Sequence, residues 1–155
     1  MTLAERGVRS SVVRLPPLVH STLDHHGFRP TLIAIARDKV ASGYVGDGST
    51  RWPAVHTLDA ACVYRLALEA APAGSRLHAV ADEGVAFRDI AEVIGRKLGV
   101  PTASISPDDA GEHFSFLGGL VSLDKPTSST HTRKLLNYQD APRGGGPPRY
   151  DASRP

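Results

Sequence analysis

With 155 residues the chain is long enough for one domain, and its 18 basic and 16 acidic side chains leave a net charge of +2 spread along the sequence. Despite a pI near 8.9, this lacks the clustered basic face that a DNA or RNA partner requires, so no nucleic-acid partner is expected. The opening run Met1 to Arg6 has no apolar signal core, no apolar run approaches the ~20 residues of a membrane span, and the one cysteine, Cys62, cannot close an internal disulfide, so a cytoplasmic protein with no membrane partner is expected.

The first nine residues read as the end of a helix stopped by Gly7, because glycine takes a left-handed terminal position at little cost. Ser11 to Leu15 carries the β-branched pair Val12 and Val13 and ends at Pro16-Pro17, a strand with a firm stop. A loop over 18–29 holds His20, Asp24, His25 and His26; a helix follows from Pro30 to Lys39, with Leu32, Ile33, Ile35 and Ala36 as its buried side. The segment Ser42 to Ser49 is glycine-rich. Gly43, Gly46 and Gly48 are loosely spaced like a phosphate loop, but no helix is expected after Gly48, so a plain turn is the better reading.

The stretch Arg51 to Glu69 organises the chain. It starts extended, because Pro53 biases Trp52 away from helix. It then changes period, with Thr57 as the helix N-cap, Asp59 in the first turn and Pro72 beyond the end. That helix is apolar almost all round (Leu58, Ala61, Cys62, Val63, Leu66, Leu68), which predicts burial on most sides. Leu77 to Ala81 alternates like a strand. Phe87, Ile90, Ile94 and Leu98 then recur at helical spacing, with Gly99 and Pro101 as stop signals. A short strand over Thr102 to Ser106, a helix from Pro107 towards Phe116, and a last helix capped by Ser128 or Ser129 and reaching Leu136 complete the first 136 residues, read as one domain. From Asn137 to Pro155 the chain turns Pro-, Gly- and Arg-rich, the composition of a disordered tail.

The run Arg51-Trp52-Pro53-Ala54-Val55-His56, with Asp59-Ala60-Ala61 and Tyr64 to Glu69 after it, closely resembles the second half of extended short-chain dehydrogenases/reductases. These are NAD(P)-dependent epimerase/dehydratase-like oxidoreductases. Blocks at 6–17, 26–28, 44–48 and 84–91 agree in order and spacing, which is more specific than any one short motif. The resemblance implies an α/β class, the C-terminal part of a Rossmann-like NAD(P)-binding fold with its small substrate-binding subdomain, the N-terminal nucleotide half missing. It implies NAD or NADP as cofactor and a small-molecule substrate changed at an alcohol or carbonyl carbon.

Two signatures of that family are absent. The residues four after Tyr44, Tyr64, Tyr138 and Tyr150 are Gly48, Leu68, Pro142 and Arg154, so there is no Tyr-x-x-x-Lys to pass a proton, and no catalytic residue is assigned. The glycine turn that would meet a pyrophosphate is missing as well. By resemblance, the loop after the first strand runs beneath the nicotinamide ring, which makes Pro16, Pro17 and Leu18 the cofactor contacts; the proline pair also reads simply as a strand terminator. Arg51 resembles an arginine aimed into the substrate cavity, where its fork of donors suits phosphate or carboxylate, and it equally suits a solvated surface position. Trp52, His20 and Phe28 stand with it on the substrate side. His56 reads as an organiser of the strand-to-helix junction by hydrogen bonding. Adjacent His25 and His26 rarely reach one ion together, so no metal is assigned to the loop.

A strand carrying Val12, Val13 and Leu15 normally lies covered on both faces, and uncovering three such side chains forfeits roughly 5–9 kcal/mol at about 1.5–3 each. Whole domains are stable by only about 5–15 kcal/mol, so the chain alone is expected to be marginal, self-associating, or dependent on a separate nucleotide-binding half. Three readings stay open: a truncated oxidoreductase inactive alone, one half of a split enzyme, and a non-catalytic module that keeps a ligand cavity around Arg51 and Trp52.

Overall fold

Consecutive residues of an extended strand point to opposite sides, and the strand Arg51–His56 uses this to serve two cores at once. Trp52 and Ala54 face one apolar cluster and Val55 faces the other. The computed structural model describes residues 3–139. Its strands are β1 (Ser11–Arg14), β2 (Leu18–His20), β3 (Ser42–Val45), β4 (Arg51–His56), β5 (Ser75–His78), β6 (Asp82–Ala86) and β7 (Thr102–Ile105); its helices are α1 (Phe28–Asp38), α2 (Thr57–Ala70), α3 (Phe87–Leu98), α4 (Ala110–Phe114), α5 (Gly118–Val121) and α6 (Thr130–Leu136).

The first cluster lies between the three-stranded sheet β2-β4-β6 and helices α1, α3, α4 and α5. Trp52 has no exposed surface. Its ring meets Phe87 at 5.1 Å and Phe28 at 6.0 Å, and Phe87 in turn meets Phe114 at 6.1 Å, edge-directed arrangements that favour the ring quadrupoles. β4 runs parallel to β2 and antiparallel to β6. The β4–β6 register slips between Trp52 and Ala54, at Pro53, which has no N–H to give to the ladder.

The second cluster joins the parallel pair β1-β5 to α2 and α6. Here Val13 and Leu77, paired in register, turn the same way onto Val63 and Ala67 of α2. The other face of the pair stays open, with Val12 54% exposed, and Leu15, just past the strand, is 46% exposed. Of the three side chains expected to be uncovered, Val13 is therefore covered by α2. Among the described residues β1 has β5 as its single neighbour, so its second edge is unpaired. β3 and β7 form a third, parallel pair.

Several expectations need correction. The loop over 18–29 contains β2, and the glycine-rich segment contains β3, whose Gly43 backs onto His113 too closely to admit a Cβ. Short strands of this kind draw their order from a neighbour rather than from their own pattern. β6 and α5 were not expected at all, and α1 starts at Phe28, two residues before Pro30. α2 is not buried on most sides: Ala60, Val63 and Ala67 form its one buried stripe, while Leu58, Tyr64 and Leu68 face outward. Asn137 takes the left-handed position that ends α6. Tyr138 beyond it is buried and donates its hydroxyl to the Asp59 carboxylate at 3.1 Å, so the chain stays anchored one residue past the expected start of the tail. From residue 140 on, that tail lies outside the described residues.

The cap of α2 is also not Thr57. His56 precedes the helix in extended conformation, and its Nδ1 accepts the Leu58 N–H at 3.2 Å, which is the junction role expected of it. His56→Ala should lower the unfolding free energy by about 0.5–2 kcal/mol, and His56→Asn, which keeps a capping acceptor, should restore most of that. Urea denaturation of the three proteins measures the difference.

Candidate functional site

In open α/β sheets ligands lie in the crevice outside the carboxyl ends of parallel strands. β1 and β5 are such strands, in register from Ser11↔Ser75 to Arg14↔His78, and a cavity of about 440 Å³ opens where they end. Its lining combines apolar surface from Pro16, Pro17 and Phe28 with the polar groups of Arg14, His78 and Lys125. Such a mixture receives a flat or apolar body together with an anionic group.

Each part of this lining has a local cause. Pro16 and Pro17 end β1 because neither can continue a ladder. Phe28 opens α1, whose entry is set by Asp24: its Oδ1 accepts the Gly27 N–H at 2.9 Å, and its Oδ2 lies 3.7 Å from Arg29. A Cβ on residue 27 would meet that carboxylate at 2.6 Å, so a larger residue there would displace the Asp24 side chain. Lys125 is delivered by Arg51. The Arg51 Nε and Nη2 donate to the two Asp124 oxygens at 3.0 and 2.8 Å, the Arg51 N–H adds a third bond at 2.8 Å, and the Arg51 carbonyl accepts the Lys125 N–H at 2.9 Å. These bonds hold the Asp124 carboxyl below the usual carboxylate range and raise the Arg51 guanidinium.

The structure thus brings three of the expected site residues together, Pro16, Pro17 and Phe28. Leu18 and His20 point instead into a groove between α1 and α3. Trp52 is sealed in the core, where it has no surface to offer a ligand, and the Arg51 fork is paired with the Asp124 carboxylate. Arg14, His78 and Lys125 escaped the sequence reading. Arg14 and His78 become recognisable as a pair only once β1 and β5 are known to run parallel in register. Among the described residues no group of three His, Cys, Asp or Glu could hold a metal ion. None of their helices is long and apolar enough to cross a membrane.

No protein-family model matches the chain. It is 48% identical over 139 residues to an uncharacterized protein of Schizosaccharomyces pombe and 47% identical over 139 residues to one of Saccharomyces cerevisiae, in each case over 90% of this chain. It spans 47% and 46% of those relatives, about half their length. Among solved structures it superposes on DesIV, the dTDP-glucose 4,6-dehydratase of Streptomyces venezuelae with NAD bound, at a TM-score of 0.67 and 14% identity, over 91% of this chain and 42% of that one. A nucleoside-diphosphate-sugar epimerase from Pseudomonas aeruginosa gives a TM-score of 0.68 at 16% identity, over 90% of this chain and 45% of that one. The fold is therefore the Rossmann-like α/β fold of NAD(P)-binding epimerases and dehydratases, matching under half of each solved chain.

Two half-buried histidines make the stability depend on pH. Burial, then the neighbouring His56 and Arg29, lowers the pKa of His20 from its ordinary 6.5 against the weaker pull of Asp82 and Asp24. Burial, then Lys39, does the same to His113. A histidine with a depressed folded pKa takes up its proton more readily when unfolded, so its contribution is intact above about 6.5 and is lost as pH falls towards the folded value. The urea midpoint should drop between about pH 7.5 and 5.5, and the His20→Gln, His113→Gln double variant should show a flatter profile over the same range.

Proposed function

We propose that the chain forms the substrate-side portion of an NAD(P)-dependent oxidoreductase of the extended short-chain dehydrogenase/reductase type, acting in the cytoplasm on a small molecule that carries a phosphate or carboxylate. The observation that carries this reading is the cleft at the carboxyl ends of β1 and β5, where Pro16 and Pro17 offer a platform and Arg14 and Lys125 offer cations. Coverage of under half of the solved epimerase and dehydratase chains supports it.

The residues present fit one side of a dinucleotide. Pro16 and Pro17 suit the face of a nicotinamide ring, while nothing in the sequence resembles the glycine turn that would take its pyrophosphate. NAD or NADP would supply the hydride chemistry, and the other contacts would come from a nucleotide-binding half. The unpaired edge of β1 is where such a half would continue the sheet. Proton transfer would also fall to that half, since no tyrosine here has a lysine four residues on. Arg51 acts through Asp124 to place Lys125, and so shapes the cleft from outside it.

The test is reconstitution. The purified chain alone should leave NADH fluorescence unchanged and should sediment in a concentration-dependent way. Co-expression with the part of the Schizosaccharomyces pombe relative that lies outside the matched region should yield a co-purifying complex that binds NADH. A stable monomer with no affinity for that part would overturn the proposal.

A further inference from the structure

A second cavity lies away from the cleft, between α1 and α3. Both helices lead within a few residues into neighbouring parallel strands, β3 and β7, which start in register at Ser42↔Thr102. The helices therefore run the same way, with their C-terminal ends side by side. Each presents a row of residues spaced by four, the spacing that keeps side chains on one helix face: Arg29, Ile33 and Arg37 on α1, and Asp89, Val93 and Lys97 on α3.

Both rows are apolar in the middle. Ile33 and Val93 form the walls, with Leu18, Val85 and Ile90 beneath, around a space of about 580 Å³. That is within the roughly 300–1,000 Å³ of small-molecule sites. The charge is not spread evenly along it. At one end Arg29 is committed, donating to the Ser21 carbonyl at 2.6 Å and facing Asp24 at 3.7 Å, and Asp89 lies there too. At the other end Arg37 and Lys97 sit together, and neither forms an ion pair with another described residue.

We propose that this groove binds a small amphiphilic anion, its apolar chain lying between Ile33 and Val93 and its carboxylate between Arg37 and Lys97. The argument is charge complementarity: an apolar trough closed at one end by two uncommitted cations selects a ligand with a single anionic head. The site is separate from the cleft and does not rest on the oxidoreductase reading.

Decanoate is the probe, titrated into the full ¹⁵N-labelled chain with decanol as its uncharged analogue. Decanoate should shift the amides of 33, 37, 90, 93 and 97. Val93→Asp, at an exposed position that the fold tolerates, should weaken decanoate binding by ~10-fold or more, as expected for a carboxylate set in an apolar wall. The Arg37→Glu, Lys97→Glu double variant should weaken decanoate by a similar factor and leave decanol unchanged. Circular dichroism of each variant confirms that the fold persists. Shifts confined to the β1 edge or the cleft would overturn the proposal. So would variants that bind like the parent, charge reversal that affects decanol and decanoate alike, or the same shifts appearing on concentrating the protein without ligand, which would assign the groove to a second copy.

Discussion

Everything in the molecule depends on β4 being able to look both ways. Trp52 on one side and Val55 on the other are fully buried in different clusters, so a single six-residue strand locks the helical layer around α1 and α3 to the parallel pair β1-β5. A one-residue slip would exchange the two faces and place an indole where a valine fits. Pro53 sits where such a slip is accommodated, at the irregularity against β6. Its missing N–H confines the break in the ladder to one position.

From this strand the ligand cleft follows by short covalent and hydrogen-bonded steps. β4 begins with Arg51, Arg51 grips Asp124, and the loop so held lays Lys125 and Thr127 over the strand ends. Thr127 is fixed a second time by the Glu83 carbonyl on β6. Cleft and core thus share one origin. An arginine at the head of this strand works here as a fastening for the loop, while the cationic surface facing the cavity comes from Arg14 and Lys125.

Much of this was readable in the sequence wherever a segment specifies itself. The α3 period and the Gly99 stop, observed with φ +70°, were both legible, as were β1 and its proline stop, β7, and the histidine at the β4–α2 junction. What could not be read was whatever a partner segment decides. β2 is three residues long and exists because β4 lies beside it, and β6 carries Gly84 in its middle, a residue that argues against a strand until Arg51 and Pro126 are seen packed against it. The α2 reading failed for a related reason. Composition reports how much apolar surface a helix has, and only the neighbours decide how much of it they cover. The fate of Trp52 and Arg51 was likewise settled by Phe87 and Asp124, residues distant in sequence.

The open margin of β1 has a consequence for the company this protein keeps. An unpaired strand invites any extended chain, and a second copy would be the commonest visitor. Stacking two copies of Ser11–Arg14 side by side in the same direction would set Arg14 against Arg14, and like charges placed opposite one another oppose the match. Arg9, just before the strand, is already tethered to the carbonyls of Leu68 and Glu69 and holds the entry to that margin in a fixed place. That parallel match is therefore disfavoured, whereas an antiparallel one sets Arg14 against Ser11 and carries no such repulsion, so two copies meeting at this margin would run in opposite directions.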